Sequence, residues 1–333
     1  MEKLCRLIAV GLVALLATVA SSGSAVGQVG QGGAAARESR IPVGGPSLYA
    51  REIGRGQPLI VLHGGPDFDT GYLLPDLDSL ADGYRLLYYD QRGRGRSAEG
   101  VRPDDVTLAS DLDDLDRVRQ HFRLGATALL GHSWGTVLAL EYALRHPTEV
   151  SHLILMNPAP ASVAQVEVLR ASYLAQLGTD MDRQREITAS AAYKEGDPAA
   201  VSARYRIHFK HGLRRTADYE RLMERMSAGF HAQGKEGIVK AWAVEERLYR
   251  DTWQVPGYDL LPRLRELRIP TLVIVGEQDF IPTQIAEQIA QAVPGATLVR
   301  IADCGHFTYM ECGADVRRAV DDFFRRTGKV PPR

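Results

Sequence analysis

Ala126-Thr127-Ala128-Leu129-Leu130-Gly131-His132-Ser133-Trp134-Gly135-Thr136 is an apolar run that stops at a small-residue turn, and a second apolar stretch leaves it toward His146. A strand entering Gly-x-Ser-x-Gly and a helix leaving it lift one serine onto a tight turn whose flanks have no room for side chains. Ser133 is therefore the candidate nucleophile. Five residues with two glycines also recur by chance, so the rest of the chain has to supply the partners such a serine needs.

Upstream, Pro58 to Leu62 and Tyr84 to Tyr89 read as buried strands that end in His63-Gly64-Gly65-Pro66 and Asp90-Gln91-Arg92-Gly93-Arg94-Gly95-Arg96-Ser97. Ser47 to Ile53 with the turn Gly54-Arg55-Gly56 predicts a hairpin into the first of them, and Thr70 to Leu80 a helix between the two. Thr107 to Phe122 carries Leu108, Leu112, Leu115, Val118 and Phe122 at helical spacing, with Asp and Arg on its other faces. Downstream, Trp134 to His146 is a helix halted by Pro147, and Val150 to Met156 is a fourth buried strand. Apolar strands alternating with amphipathic helices define an α/β protein, a mostly parallel sheet with helices on both faces.

The alternation stops at Asn157-Pro158-Ala159-Pro160. Residues 161–262 read as helices broken at Gly178, Gly196-Asp197-Pro198, Gly212 and Gly234, an insertion rich in Arg, Glu, Ala and Tyr. The α/β pattern then resumes with the strand Thr271 to Val275, the helix Thr283 to Val293, the strand Thr297 to Ile301 and a last helix from Ala314 to Arg326. The expected core is thus 41–160 together with 263–328.

The chain's beginning has another character. Lys3 and Arg6 precede an apolar run from Leu7 to Ala20 and a small polar segment, the three regions of a secretory signal, so 1–27 is expected to be cleaved near Ala25 to Gln28. Its apolar run is too short to span a bilayer comfortably. An exported protein, periplasmic or secreted, with no stable membrane partner after cleavage is the expectation. Residues 28–40 read as a flexible leader. The whole chain has 333 residues, 45% hydrophobic and 24% charged, with a formal net charge of −1, which gives no electrostatic reason to expect nucleic acid as a partner. The mature chain keeps Cys304 and Cys312. Closing so short a loop demands specific geometry, so two buried thiols are favoured over a bridge. No Cys/His spacing suggests zinc, and neither a metal nor a cofactor is implied.

In an open parallel sheet, reactive groups gather at the carboxyl ends of strands. Ser133, Asp279 and His306 each follow a strand, in that order. His306 would take the serine's proton as it attacks, and Asp279 would hold the imidazole's tautomer and stabilise its charged form. Glu277 is a rival to Asp279. The oxyanion needs donors fixed in advance: the backbone N–H of Trp134, then that of Gly65, with Gly64 as second choice. His132 reads as a packing residue beside the turn, His63 as one that orders its loop, and Asp90 and Arg92 as ties between loops.

These motifs, with the Ser, Asp, His order, resemble the alpha/beta-hydrolase superfamily across nearly all of the mature chain. His-Gly-Gly-Pro, Asp-Gln-Arg-Gly-x-Gly-x-Ser and Gly-x-Ser-Trp-Gly together look like its proline iminopeptidase group of serine peptidases. That resemblance implies an alpha/beta-hydrolase fold whose insertion, 161–262, is a helical cap that binds the free amino terminus of a small peptide. The nearest match to the group's cap tryptophan-glutamate motif is Ala241-Trp242-Ala243-Val244-Glu245-Glu246, making Glu245 and Glu246 the candidates to pair with a substrate ammonium. Asp67 stands where that group usually has glycine. A small acyl substrate such as an ester, lactone or amide is the alternative, and a ligand-binding protein on a hydrolase scaffold a third. Epoxide hydrolases and dehalogenases use an aspartate where Ser133 stands.

Overall fold

The computed structural model describes residues 35–328, so the signal segment and most of the leader lie outside the described residues. Eight strands form one sheet: β1 (Arg37–Pro42), β2 (Ser47–Gly54), β3 (Gln57–Leu62), β4 (Tyr84–Tyr89), β5 (Thr127–His132), β6 (Val150–Met156), β7 (Thr271–Gly276) and β8 (Thr297–Ile301). Their spatial order is β1-β2-β4-β3-β5-β6-β7-β8. β2 runs antiparallel to both of its neighbours, and every other pairing is parallel. The central strands β5 and β7 are buried along their whole length because both faces are covered, and most of their residues are apolar.

Two expectations are corrected here. Residues 37–40 are not leader: they pair with Tyr49 to Glu52 in β1, an exposed edge strand whose Arg, Glu and Ser side chains gave it the composition of a linker. The predicted hairpin into β3 does not form either. β2 pairs with β4, and the turn at 54–56 carries the chain past that strand into the sheet's middle.

Helices α1 (Leu108–His121), α2 (Trp134–Arg145), α9 (Thr283–Ala292), α10 (Thr308–Glu311) and α11 (Gly313–Thr327) flank the sheet. α1 starts on a capping box in which Thr107 accepts from the Ser110 N–H and Ser110 reaches back. Its acidic face is not solvated as its pattern suggests: Asp111 and Asp114 are buried against Arg94 and Arg92. α2 buries ten of its twelve residues, Glu141 among them, which explains why apolar residues appear on nearly every side. α11 buries Val316, Ala319, Val320, Phe323 and Phe324 as one stripe and leaves its arginines outside. The stretch from Thr70 forms two short 3₁₀ turns, Thr70–Leu73 and Asp76–Asp82, because Pro75 interrupts it.

Between β6 and β7 lie α3 (Val163–Leu177), α4 (Asp180–Ala189), α5 (Ala191–Lys194), α6 (Pro198–His208), α7 (Thr216–Asp251) and α8 (Leu261–Leu264). α3 ends at Gly178, Asp197 caps α6 through its side chain with Pro198 in the first turn, and α7 is broken at Gly234, whose φ is +65°. We refer to this layer as the cap.

Cys304 and Cys312 are joined. The expectation of separate thiols fails because α10 folds the chain back and brings their Cα atoms to 6.4 Å, within the range a bridge spans. On the chain-entropy view, losing it by the double change Cys304→Ser, Cys312→Ser is expected to cost about 2–3 kcal/mol. Denaturant unfolding of both proteins checks this, and coincident curves would contradict it.

Candidate active site

Ser133 sits between β5 and α2 with φ 54° and ψ −121°, a conformation that costs a non-glycine residue about 1–3 kcal/mol. The surroundings hold it there. The Ser133 N–H donates to the Met156 carbonyl at 3.1 Å, and the Ser133 carbonyl accepts from the Thr136 N–H at 2.9 Å and its hydroxyl at 2.7 Å. The flanking glycines are sterically required. A Cβ on Gly131 would lie 2.5 Å from the Gly135 carbonyl oxygen, and one on Gly135 would lie 2.1 Å from that of Leu62.

The structure brings Asp279 and His306 together. His306 Nδ1 lies 2.9 and 3.0 Å from the two carboxylate oxygens of Asp279, and both side chains are almost fully buried. Glu277, the rival, is exposed. Asp279 Oδ2 also accepts from Asn157 Nδ2 at 2.8 Å, and Oδ1 from the Ile281 N–H at 2.8 Å. Asn157 is itself oriented by the Thr308 hydroxyl and by the Gly305 carbonyl. It fixes the orientation of the Asp279 carboxylate, and its one signal in the sequence is its place at the end of β6.

His132 joins three parts of the site. The Gly64 N–H donates to the Tyr72 hydroxyl at 2.7 Å, which lies 2.7 Å from His132 Nδ1, and His132 Nε2 is 3.1 Å from the His306 carbonyl. Since a carbonyl only accepts, Nε2 carries the proton and Nδ1 receives the tyrosine's. Burial, reinforced by the nearby His306, holds His132 well below the usual imidazole range, which keeps this neutral tautomer. His63 orders its loop: its ring nitrogens meet the Gly64 carbonyl and the Gln91 N–H, and burial, then Arg94, lowers it to about 4.

Gly64 was one of the three oxyanion candidates, and its N–H is taken by Tyr72, which removes it. The N–H groups of Gly65 and Trp134 have no hydrogen-bond partner among the described residues. Trp134 opens α2, where the first N–H groups lack intrahelical acceptors. Gly65 has φ +50°, and a Cβ there would strike the Phe68 ring at 2.4 Å.

Of the two cap glutamates, only Glu245 belongs to this region. Its Oε1 accepts from the Tyr249 hydroxyl at 2.7 Å, and the Tyr249 ring lies 6.0 Å from Trp134, the residue after the serine. Glu246 instead accepts from Gln254 and lies near Arg250 on the partly exposed side of α7. Burial, with the Asp67 charge adding to it, pushes the Glu245 carboxyl up to about 8. Asp67 is likewise raised by burial, although the Tyr205 hydroxyl, 2.6 Å from its Oδ2, opposes the shift.

Glu311 ties the cap to the loop of His306. Its two oxygens accept from the Gly305 N–H at 2.8 Å and from the Arg214 and Arg215 N–H groups at 2.6 and 3.0 Å, while the His306 N–H donates to the Gly212 carbonyl at 2.7 Å. A lone glutamate on a four-residue helix gave no sequence signal for this.

Residues 57–311 match the family described as alpha/beta hydrolase fold, and the chain belongs to that family of hydrolases. It resembles proline iminopeptidases. Curated relatives of that name include one from Lactobacillus crispatus (strain ST1), 29% identical over 283 residues and covering 82% of this chain and 93% of the relative. Another, from Saccharolobus solfataricus, is 29% identical and covers 79% and 83%. Among solved structures, proline iminopeptidase from Mycobacterium smegmatis superposes with a TM-score of 0.64 at 23% identity, covering 87% of this chain and 98% of that one. Est816, an N-acyl homoserine lactone degrading enzyme, gives 0.62 at 20% identity, covering 86% and 100%. At those identities the structural likeness is one of fold.

Proposed function

We propose that the protein is a serine hydrolase working through an acyl-enzyme, and that it is an aminopeptidase releasing the N-terminal residue of small peptides. The observation that carries the hydrolase reading is the His306–Asp279 pair, set at two strand ends beside the strained Ser133 turn. Ser133 Oγ attacks the carbonyl carbon while His306 Nε2 takes its proton, and the oxyanion is met by the N–H groups of Trp134 and Gly65. His306 then gives the proton to the departing amine, and a water deprotonated by the same nitrogen releases the acyl group from the serine.

Glu245 supports the aminopeptidase reading, because a buried carboxylate linked through the Tyr249 and Trp134 rings to the residue after the nucleophile can hold a free ammonium and fix cleavage after one residue. Relatives named proline iminopeptidase point the same way. An esterase reading is favoured by the aromatic surroundings of His306, where Phe280 and Phe307 lie 4.6 and 5.2 Å away and suit an apolar acyl chain. Proline arylamides with free and blocked amino termini, assayed beside short-chain acyl esters, separate the two. Turnover of the free-amine arylamide alone supports the aminopeptidase; equal turnover of the blocked form sinks it.

Glu245 also gives the reading a pH signature. It must be ionised to pair with an ammonium, and its carboxyl loses its proton only near pH 8. kcat/KM for a free-amine arylamide is therefore expected to climb about tenfold per pH unit on the acid side of that value. Glu245→Gln should remove this limb and lower kcat/KM roughly 10- to 100-fold, the range of a hydrogen bond to a charged group. A Gln variant with the wild-type profile would exclude the role. Export belongs to the same proposal, and N-terminal sequencing of the mature protein, expected to begin near Ala25 to Gln28, tests it.

A further inference from the structure

Arg204 is the strongest unexplained charge beside the site. It lies on α6, the cap helix that faces the catalytic loops: one residue on, Tyr205 bonds Asp67 of the oxyanion loop, and one turn on, His208 packs against Phe280, which in turn touches His306. Only 9% of its surface is exposed, yet it forms no hydrogen bond and no ion pair among the described residues. Its guanidinium rests 4.5 Å from the centre of the Tyr205 ring, with Glu245 and Asp67 close enough to act on its charge but not to pair with it.

A guanidinium has five N–H donors and keeps its charge at any physiological pH. A guanidinium so little exposed with none of its donors taken by the protein is unusual, since proteins ordinarily cover one with a bidentate carboxylate; the Arg204 nitrogens keep the accessible surface through which a ligand can reach them. Arg94, fully buried on the core side, shows what a structural arginine looks like in this chain: it is paired with Asp111 at 2.6 Å and bonded to Gln91 and the Arg92 carbonyl. Arg204 differs in that its would-be partners are engaged elsewhere, Asp67 with Tyr205 and Glu245 with Tyr249.

We propose that Arg204 is the receptor for a carboxylate of the substrate, so that the preferred substrate is an aminoacyl compound carrying an anionic group besides its free amine. The ammonium part rests on the aminopeptidase reading. With the carboxylate on Arg204 and the ammonium on an ionised Glu245, each of these two charges gains an opposite partner. The carboxylate can belong to the side chain of the released residue or to the carboxyl end of a dipeptide, and both present the same two oxygens.

The test compares matched substrates in wild type, Arg204→Gln and Arg204→Lys. Aspartyl and glutamyl arylamides against alanyl arylamide place the carboxylate on the released residue; a dipeptide against its C-terminal amide places it on the leaving side. One of these pairs is expected to show a preference of roughly 10- to 100-fold in kcat/KM for the charged member, the range of a hydrogen bond to a charged group. That ratio should fall to near one in Arg204→Gln, mainly through KM, and be partly restored in Arg204→Lys. No preference in wild type for either pair, or a preference untouched by Arg204→Gln, overturns the proposal. If wild type cleaves no arylamide or peptide at all, the aminopeptidase reading fails, and the same comparison with a dicarboxylic acid monoester against a neutral ester decides about Arg204 separately. Should Arg204→Gln not fold, inhibition of wild type by glutarate and by glutaramide gives the answer: stronger inhibition by glutarate supports the receptor, and equal inhibition overturns it.

Discussion

Ser133→Ala is expected to lower kcat by roughly 10⁴- to 10⁶-fold on every substrate the wild type turns over, while leaving the fold intact. The loss is large because without Oγ there is no nucleophile for His306 to activate, and a residual rate above the uncatalysed reaction would come from the N–H groups of Gly65 and Trp134 alone. Stability should hardly move. The turn at 133 is fixed by the residue's own N–H and carbonyl, through Met156 and Thr136, and alanine keeps both. Alanine also fits, since the space beside Ser133 is set by Gly64, where a Cβ would come within 2.7 Å of the serine's own. Steady-state kinetics with an arylamide and an ester, and labelling by a phosphonate, check the result. Wild type and variant behaving alike on both substrates would remove Ser133 from the mechanism.

The sequence made the core legible because its strands are buried on both faces and so appear as uninterrupted apolar runs, each followed by polar residues at the end where chemistry can sit. β5 with Gly131 to Gly135 is the clearest instance. What the sequence hid falls into three physical kinds. An edge strand is wet, so Arg37 to Arg40 had the composition of a linker although it pairs along its whole length with β2. Strand order is a long-range property, and nothing near Gly54 to Gly56 could say that β4 would come between β2 and β3. Supporting side chains act through partners far off in the chain: Asn157 reaches Asp279 across 122 residues, Glu311 reaches Arg214 across 97, and Asp67 meets Tyr205 across 138. Each is an ordinary polar residue until the fold supplies its neighbour. Glu245 and Glu246 show the same limit within one pair, since a helix turns adjacent residues about 100° apart and only one of them can face the site.

The second large effect is expected at Asp279. Asp279→Asn should lower kcat about 10⁴-fold and cost about 1–3 kcal/mol of stability, because it alters the proton on His306 and sets a buried NH₂ against another donor. In the native site the carboxylate offers two accepting oxygens to three donors: the His306 Nδ1–H, the Asn157 amide and the Ile281 N–H. An asparagine keeps a single accepting oxygen and replaces the other with an NH₂. If that oxygen turns to Asn157, the new NH₂ faces Ile281 and His306; if it turns to Ile281, the NH₂ meets the amide of Asn157. In the first arrangement the NH₂ takes the position nearer to Nδ1 and can donate to it when Nδ1 is bare, a tautomer that puts the imidazole proton on Nε2, the atom that has to accept from Ser133. The base is then already protonated in the resting enzyme. The double change Asp279→Asn, Asn157→Asp offers the discriminating measurement, since it returns a carboxylate to the cluster beside the asparagine. If positioning by Asn157 matters as the distances imply, the double variant recovers part of the loss. Equal activity of Asp279→Asn and wild type would instead assign the acid's role to another residue.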